Sequence, residues 1–293
     1  NNMSSETKRS SIAIVIVLLI ATGLAFAGSQ GGHLVNGFPL FALCVALAFI
    51  IQWVAFLPAF IYRTEKFYDL TGSITYLTVI TVAILLSPAI DPRSLLLAGI
   101  IAIWAVRLGS FLFMRIRAAG EDRRFREIKQ SFARFLMTWT LQGLWVAFSL
   151  SSALAAITST IRKDVDAFAV IGFLVWLFGF GIEVLADKQK SDFNSTPGNK
   201  DKFIRSGLWS WSRHPNYFGE IVLWIGVMII AMPILQGWQW ATLISPIFII
   251  ILLTRISGVP MLEKRADEKW GGQPEYEAYK ANTSVLIPMP PKK

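Results

Sequence analysis

The sequence predicts an all-α fold, a polytopic membrane helical bundle of seven or eight transmembrane helices. Of its 293 residues, 54% are hydrophobic, and the mean hydropathy is +0.52. Apolar stretches long enough to cross a bilayer recur along the whole chain. They cover residues 10–28, 38–61, 72–90, 94–114, 133–158, 166–186, 217–235 and 238–257. The connections between them alternate between rich and poor in basic residues, which is typical of a membrane bundle.

The first two stretches, within residues 1–60, are predicted to form N-terminal transmembrane helices. The first is long and lacks a small-residue cleavage pattern, so we expect it to be retained. The single cysteine, Cys44, lies in the second stretch. We expect it to pack against other helices, because one cysteine cannot form an intrachain disulfide.

The other six stretches lie within residues 61–293, which are predicted to form the functional domain. Short turns marked by Pro, Gly or Asp connect the third stretch to the fourth, at 87–94, and the seventh to the eighth, at 236–239. Longer polar segments follow the fourth, sixth and eighth stretches. Because those three segments all emerge on one side of the bundle, we expect the function on that side.

The basic residues predict the orientation of an integral, multi-pass membrane protein. The side of the membrane whose connections are poor in basic residues, called the poor side below, holds only Arg93, Arg162 and Lys163 of the 28 Lys and Arg residues. Because Lys and Arg collect on the cytoplasmic side, both termini and the functional side are predicted to be cytoplasmic, in the inner membrane if the source is bacterial. These loops also account for the net charge of +9, so no nucleic-acid partner is predicted.

Polar chemistry concentrates in the segment SGLWSWSRHPNYFGE, residues 206–220. Pro215 suits the first position of the helix that follows, and Ser212 can help to cap it. Free N–H groups at that helix end and the Arg213 guanidinium then converge on one place. Together they favour a phosphate or a carboxylate.

Three further polar residues of this segment strengthen the functional interpretation. His214 and Asn216 flank Pro215, and Glu220 lies about one turn inside the apolar helix. An ionisable group at that depth is costly and usually functional. The alternative is an interfacial basic and aromatic belt that anchors the helix. That alternative explains Arg213, but not His214 and Glu220 together.

A charge cluster, MRIRAAGEDRRF, leaves the fourth stretch directly. Its arginines Arg115, Arg123 and Arg124 can bind phosphate, while the neighbouring acids can accept hydrogen bonds from ribose hydroxyls. The alternative is an ordinary basic loop of a membrane protein.

Two polar stripes accompany the later helices. Glu183, Asp187 and Lys190 are spaced by four and three residues and therefore share one helical face, with Asn194 following. Two stacked acids there need a bound ligand or basic partners such as Arg107 or Arg255. A second set lies at the end of the last stretch and just beyond it, and comprises Arg255, Glu263 and Arg265.

The segment FYDLTGSITY opens the third helix with a carboxyl group and two phenols. Asp69 and Tyr76 are seven residues apart and so lie on one face, and Tyr68 precedes Asp69. A protonated carboxyl beside a phenol forms a pair of donors that can polarise a carbonyl. The alternative is that Asp69 caps the helix.

These motifs, with EVLADKQK and the tail LEKRADEKWGGQPEYEAYKANTSVLIP, resemble those of bacterial membrane proteins related to the C-terminal domain of steroid 5α-reductases. The resemblance extends over roughly residues 60–293. It implies an NADPH-dependent oxidoreductase acting on CH–CH groups, of the 3-oxo-5α-steroid 4-dehydrogenase type. Such an enzyme reduces the carbon–carbon double bond of an enone in a lipophilic substrate, a 3-oxo-Δ4-steroid or a similar molecule in lipid metabolism.

The resemblance also implies site residues. The cofactor residues it implies are Asp187, Arg213, His214, Asn216, Trp224, Arg255 and Glu263, with Arg115, Arg123, Arg124, Lys190, Asn194 and Arg265 as looser phosphate and adenosine contacts. For catalysis it implies an acid and a tyrosine at the ketone. Asp69 matches the acid, but Trp104 occupies the place of the tyrosine, so Tyr68 or Tyr76 is expected to supply the phenol. Trp104 and Glu220 are expected to face the substrate.

An alternative comes from isoprenylcysteine and phospholipid methyltransferases, which share an RHPxY-type motif and use S-adenosylmethionine. Those proteins commonly carry paired glutamates in the tail, where this chain has Glu263, Lys264 and Arg265. The extra arginines after the fourth stretch suit a cofactor with three phosphates. A non-enzymatic lipid-binding or transport role is a third alternative. Besides NADPH, the expected partners are a lipophilic substrate entering from the bilayer and membrane lipids; the oligomeric state stays open, and a monomer is compatible with the sequence.

Overall fold

The computed structural model describes residues 5–122, 124–199, 201–256 and 258–291, which are mostly helical. The helices are α1 (Ser5–Gly28), α2 (Leu40–Ile61), α3 (Tyr68–Leu86), α4 (Pro92–Ala119), α5 (Phe125–Ile128), α6 (Phe132–Ile157), α7 (Ala167–Ser195), α8 (Pro215–Ala231), α9 (Ser245–Ile251), α10 (Gly258–Trp270) and α11 (Pro274–Asn282). Shorter elements are the 3₁₀ turns Gly207–Ser210, Met232–Ile234 and Gly237–Ile244, the π-helical turn Leu252–Ile256, and the two-residue strands β1 (Leu34–Val35) and β2 (Phe38–Pro39), which pair antiparallel.

Eight helical segments of the described chain are long and apolar enough to span a membrane, which confirms the predicted fold class. Six are α1, α2, α3, α4, α6 and α7, and the last two are the composite segments Pro215–Ile234 and Gly237–Trp270. The helices extend beyond the apolar stretches, since α3 begins four residues earlier than predicted and α7 continues to Ser195. Hydropathy detects only the apolar part of a helix, whereas backbone hydrogen bonding continues into its polar turns.

The chain forms two compact units, and the first comprises the described residues up to Ala169 together with Ile230–Ser245. Here α1 and α2 pack on α6, and α3 packs on α4. Helix α6 is the most enclosed of the spans, because small residues along it let neighbours approach closely. A Cβ atom added at Gly143 would lie 2.8 Å from the Phe49 ring. Polar links cross this core, and Gln52 Nε2 donates to Thr75 Oγ1 at 2.7 Å.

The sparse arginines of the predicted poor side stabilise the first unit. The Arg93 side chain is buried, donates to Ile230 O at 2.7 Å and pairs with Asp166 at 2.9 Å. Arg162 pairs with Asp91 at 2.8 Å, next to the start of α4. The Arg93 and Arg162 guanidiniums therefore link the start of α4 to the segment between α6 and α7, and these basic residues have a structural role.

The second unit comprises Val170–Ile229 and the described residues from Pro246 onward. Within it α7 and α8 cross at glycines. A Cβ atom added at Gly219 would lie 2.6 Å from Glu183 N, and one at Gly226 would lie 2.5 Å from Trp176 N. The two backbones therefore touch, as in membrane helix pairs built on small residues. The functional boundary predicted at residue 60 is a different kind of division and stays a prediction.

Candidate functional site

The second unit holds the motif SRHPNYFGE at the start of α8. Pro215 is the first residue of α8, as the sequence predicts. Ser212 is fully buried, and its hydroxyl accepts a hydrogen bond from the His214 N–H at 3.1 Å. The turn before the helix is thus closed by a side chain, which fixes the direction in which Arg213 and His214 leave the backbone.

The C-terminal segment runs beside this turn. Arg213 N donates to Ser284 O at 2.8 Å, and Met289 N donates to Trp211 O at 3.0 Å. The Ser212 hydroxyl donates to Leu286 O at 2.8 Å. A segment distant in sequence therefore pairs with backbone N–H and C=O groups of the motif. Without it, those groups would lack hydrogen-bond partners.

Glu263, on α10, contacts both Arg213 and His214 of the motif. Its Oε2 lies 2.7 Å from Arg213 Nη1, and its Oε1 lies 2.7 Å from His214 Nε2. His214 also stacks on the Tyr217 ring, with centroids 5.8 Å apart. One carboxylate thus orients a guanidinium and an imidazole at once.

The protonation state of His214 follows from its surroundings. Burial lowers the pKa of His214 below its ordinary value of 6.5, although the hydrogen bond to Glu263 acts in the opposite direction. A neutral imidazole next to a carboxylate must donate through Nε2, which leaves Nδ1 as an acceptor. The charges of Arg213 and Lys190 also lower the pKa of His214.

Arg213 retains capacity for a ligand. Its side chain is 11% exposed, and within the described part of the chain its buried Nε has no hydrogen-bond partner. A guanidinium carries five donors in a planar fork that suits phosphate and carboxylate groups. The Arg213 guanidinium, which is predicted to bind an anion, therefore keeps an N–H donor that no described residue accepts.

The acidic stripe of α7 lies next to this motif. Glu183 and Asp187 are both buried, as is Glu220 on α8. Asn216 Nδ2 donates to Asp187 Oδ1 at 3.3 Å, so the predicted α7 stripe and the α8 motif do meet. Because a Cβ atom added at Gly219 would lie 2.6 Å from Glu183 N, Glu183 and Glu220 flank a close contact between the two helices.

The other predicted cofactor residues of the second unit, both main and looser, have different surroundings. The Lys190 ammonium lies over the Trp209 ring, 4.5 Å from its centroid, which is a cation–π contact. Trp224 is buried, whereas Arg255, in the π-helical turn, is exposed. Asn194 and Arg265 are exposed as well. Lys190 lies close enough to the motif for its charge to lower the pKa of His214, whereas Arg255, Asn194 and Arg265 are surface residues.

The charge cluster after α4 belongs to the first unit. Arg124 pairs with Asp122, and its Nη2 lies 3.8 Å from Asp69 Oδ2. Burial would raise the pKa of Asp122, but the hydrogen bonds and charge of Arg124, aided by Arg115, outweigh burial and lower it. Arg123, predicted with them, lies outside the described residues.

The predicted catalytic groups of α3 have separate partners. The Tyr76 hydroxyl lies 2.5 Å from Ser149 Oγ, and its ring meets Trp104 edge-on at 4.9 Å. The Tyr68 hydroxyl donates to Thr138 O at 2.9 Å. Asp69 lies beside Arg124, and Phe67 occupies the cap position of α3, so the capping alternative for Asp69 is not what the structure has. Tyr76, two turns along, is about 10.5 Å further along the helix axis than Asp69.

The family model described as "Protein of unknown function (DUF1295)" matches residues 55–283. That is most of the chain. The chain belongs to the DUF1295 family.

Two curated proteins match the DUF1295 chain. An uncharacterized protein of Schizosaccharomyces pombe is 23% identical over 226 residues, which are 67% of this chain and 63% of that protein. The 3-oxo-5-alpha-steroid 4-dehydrogenase 1 of Bos taurus is 27% identical over 118 residues, which are 40% of each chain. The chain thus spans less than two thirds of the length of either relative. No solved structure matches it.

Sequence reasoning did not identify two parts of this DUF1295 site. One is the double contact of Glu263, which joins residues 49 positions apart in the chain. The other is the pairing of residues 284–289 with the motif. The short apolar run VLIPM, with β-branched residues and a proline, is the signal that could have indicated an extended segment there.

Proposed function

We propose that this protein is an NADPH-dependent membrane reductase that reduces the carbon–carbon double bond of an enone in a lipophilic substrate, a 3-oxo-Δ4-steroid or a similar molecule. The observation that carries the proposal is the Arg213 side chain, which is 11% exposed, is oriented by Glu263 and has a donor still free among the described residues. The similarity to the bovine 3-oxo-5-alpha-steroid 4-dehydrogenase 1 supports the reaction class.

The residues of the second unit fit a phosphorylated dinucleotide. Arg213 would bind a phosphate through its free donor. The Asp187 carboxylate, held by Asn216, would accept a hydrogen bond from a hydroxyl or an amide of the cofactor. His214, neutral and donating to Glu263, would offer Nδ1 as an acceptor without adding charge. When bound, NADPH supplies a hydride to the β-carbon of the enone.

The other half of the chemistry is assigned to the first unit. A ketone that gains electron density during reduction needs hydrogen-bond donors at its oxygen. The Tyr76 hydroxyl, which shares its hydrogen bond with Ser149, is the proposed phenol donor. Asp69 in its protonated form is the proposed second donor. Tyr68 is the alternative to Tyr76 as the phenol. Trp104, packed on Tyr76, is proposed to face the substrate. Glu220, in the second unit, is also proposed as a substrate residue.

The orientation also remains part of the proposal. Both termini and the cofactor site are assigned to the cytoplasmic side from the distribution of basic residues, and the inner membrane applies if the source is bacterial. NADPH is present on that side of a cell membrane, whereas the substrate would enter from the bilayer.

The deciding test is ligand-dependent stabilisation of the purified protein in detergent. NADPH should raise Tm, and Arg213→Gln should lose that increase. Arg205→Gln is the matched control, because Arg205 is 56% exposed and forms a surface ion pair with Glu275. If S-adenosylmethionine raises Tm and NADPH does not, the protein is a methyltransferase of the isoprenylcysteine or phospholipid type and the reductase proposal is overturned.

A further inference from the structure

The C-terminal residues 284–289, which we name the tail strap, have two different edges. The inner edge is bonded to the start of the α8 motif through Arg213 N, Trp211 O and the Ser212 hydroxyl. Tyr279, on α11, adds a hydrogen bond from its hydroxyl to Trp209 O at 2.7 Å just before the strap. The strap is therefore held in one position relative to the motif.

The outer face of the tail strap is apolar. Val285, Ile287 and Met289 are 41%, 60% and 53% exposed, while Leu286 and Pro288 between them are half-buried. This alternation is that of an extended segment with one face covered and one open. Three consecutive outward positions are hydrophobic, although a tail in water would favour polar residues there.

The strap lies at a membrane boundary. Its bonds reach residues 211–213, and the seventh span, Pro215–Ile234, begins two residues later. Trp211, bonded to the strap through its carbonyl, is 46% exposed. Trp side chains concentrate at the level of the lipid headgroups, where an apolar ring and a polar group are both accommodated.

We propose that the outer face of the tail strap is embedded in the headgroup region of the leaflet at which α8 begins, so that its partner is the lipid bilayer. The inner edge then holds Arg213 and His214 in position, with the buried Ser212 hydroxyl as the link between them. The bilayer, through the strap, thereby fixes the geometry of the motif. This proposal does not depend on which cofactor the motif binds.

The test uses one fluorescent label in the full chain, reconstituted into phospholipid nanodiscs. Cys44→Ala removes the single cysteine, and Ile287→Cys or Glu275→Cys then provides the labelling site for an environment-sensitive nitrobenzoxadiazole dye. Glu275 is the matched control, since it is 72% exposed and lies on α11 just before the strap. The label at 287 should emit at a shorter wavelength than the label at 275, and lipids brominated near the headgroup should quench it several-fold more strongly.

Two results would overturn the lipid assignment. The first is equal emission and equal quenching at 287 and 275, which would place the outer face in water. The second is a blue-shifted label at 287 that brominated lipid does not quench, which would mean that a second copy or another protein covers the strap.

A second measurement tests the link to the motif. Val285→Ser, Ile287→Ser and Met289→Ser together remove the apolar face but leave every backbone bond possible. In nanodiscs, amide hydrogen exchange at Arg213 and Met289 should then become at least about tenfold faster than in the unaltered protein. Unchanged exchange in this variant would show that the bilayer does not hold the strap in place. Neither measurement requires nucleotide, so failure of the reductase proposal would leave both readouts intact.

Discussion

His214 Nε2 lies 2.7 Å from Glu263 Oε1, and the other oxygen of the same carboxylate lies 2.7 Å from Arg213 Nη1. Both partners come from adjacent positions before α8, while Glu263 comes from α10. A single carboxylate therefore links the start of one membrane helix to another helix, with the three side chains largely shielded from water. Removing that carboxylate should affect both the fold of the second unit and its capacity to bind an anion.

Glu263→Gln should destabilise the protein by about 1–3 kcal/mol, because it removes a charged acceptor from a half-buried site. It should also weaken NADPH binding by about tenfold or more, since Arg213 loses the group that orients it. Thermal unfolding and nucleotide titration in detergent measure the two effects. Glu268→Gln serves as the control, because Glu268 is 63% exposed and its surface ion pair with Lys264 is long, at 3.9 Å. Equal behaviour of the two variants would contradict the role given to Glu263.

The depressed pKa of His214 predicts a pH-dependent stability. Burial lowers the pKa below 6.5, and the charged groups facing the imidazole are Glu263, which raises it, and Arg213 and Lys190, which lower it. The folded protein thus binds a proton less readily than the unfolded chain. The contribution of His214 is then complete above about pH 6.5 and decreases as the pH falls below that value.

His214→Gln should remove this contribution and leave the rest of the pH profile unchanged. Tm of both proteins measured between pH 5 and 8 gives the comparison. The two profiles should converge toward low pH. Profiles that stay parallel over the whole range would mean that His214 does not titrate differently in the folded state.

The Ser212 hydroxyl is predicted to position the motif through its hydrogen bonds with His214 N and Leu286 O. Ser212→Ala should accelerate amide exchange at His214 and in the strap and cost about 1–3 kcal/mol of stability, because a buried amide loses its acceptor. Ser212→Thr keeps the hydroxyl and should restore protection. The control is Ser210→Ala, which removes an exposed hydroxyl bonded to Gly207 O. If Thr fails to rescue and Ser210→Ala behaves like Ser212→Ala, the hydroxyl has no special role.

The membrane fold could be predicted well from the sequence, whereas the site could be predicted only in part. Hydropathy depends on local composition, and it identified all eight spans. Pro215 at the start of α8 follows from its fixed φ and missing N–H, which are also local properties. The meeting of Asp187 and Asn216 required only that their helices be neighbours.

The remaining contacts depend on three-dimensional packing. Glu263 was predicted at the site, but nothing in the spacing indicates that it contacts both Arg213 and His214. Lys190 was expected to face a phosphate, yet a nearby indole ring gives its ammonium a protein partner. Asp69 has Arg124 beside it, a residue 55 positions later that only the fold brings near. Long-range pairs of this kind leave no periodic signal in the sequence.

Close packing of α7 and α8 should depend on Gly219. A Cβ atom there would lie 2.6 Å from the backbone nitrogen of Glu183, so the helices would have to separate. Gly219→Ala should therefore cost about 1–3 kcal/mol of stability. Gly181→Ala is the matched control on α7, because an added Cβ atom at Gly181 meets nothing within 4 Å. That variant should be neutral or slightly stabilising, since Ala has the higher helix propensity.

Thermal unfolding of the two alanine variants decides the point. A loss of stability at Gly219 but not at Gly181 would confirm direct backbone contact between the helices. Equal Tm values would mean that α7 and α8 are less tightly packed than the structure has them.

The proposed donors at the ketone can be tested separately from cofactor binding. Tyr76→Phe removes the hydroxyl that lies 2.5 Å from Ser149 Oγ but preserves the ring packed on Trp104. It should lower enone reduction about 100-fold or more, as expected for the loss of a group that stabilises developing charge. Asp69→Asn should abolish turnover, because an amide is a weaker donor than a protonated carboxyl. Both variants should bind NADPH like the unaltered protein.

Steady-state reduction of a 3-oxo-Δ4-steroid and nucleotide titration on the same preparations provide the two readouts. Tyr68→Phe tests the other phenol, whose hydroxyl donates to the Thr138 carbonyl and is therefore expected to be structural. A large loss of turnover in Tyr68→Phe with Tyr76→Phe unaffected would transfer the role to Tyr68. Full activity in Asp69→Asn would exclude the carboxyl from catalysis.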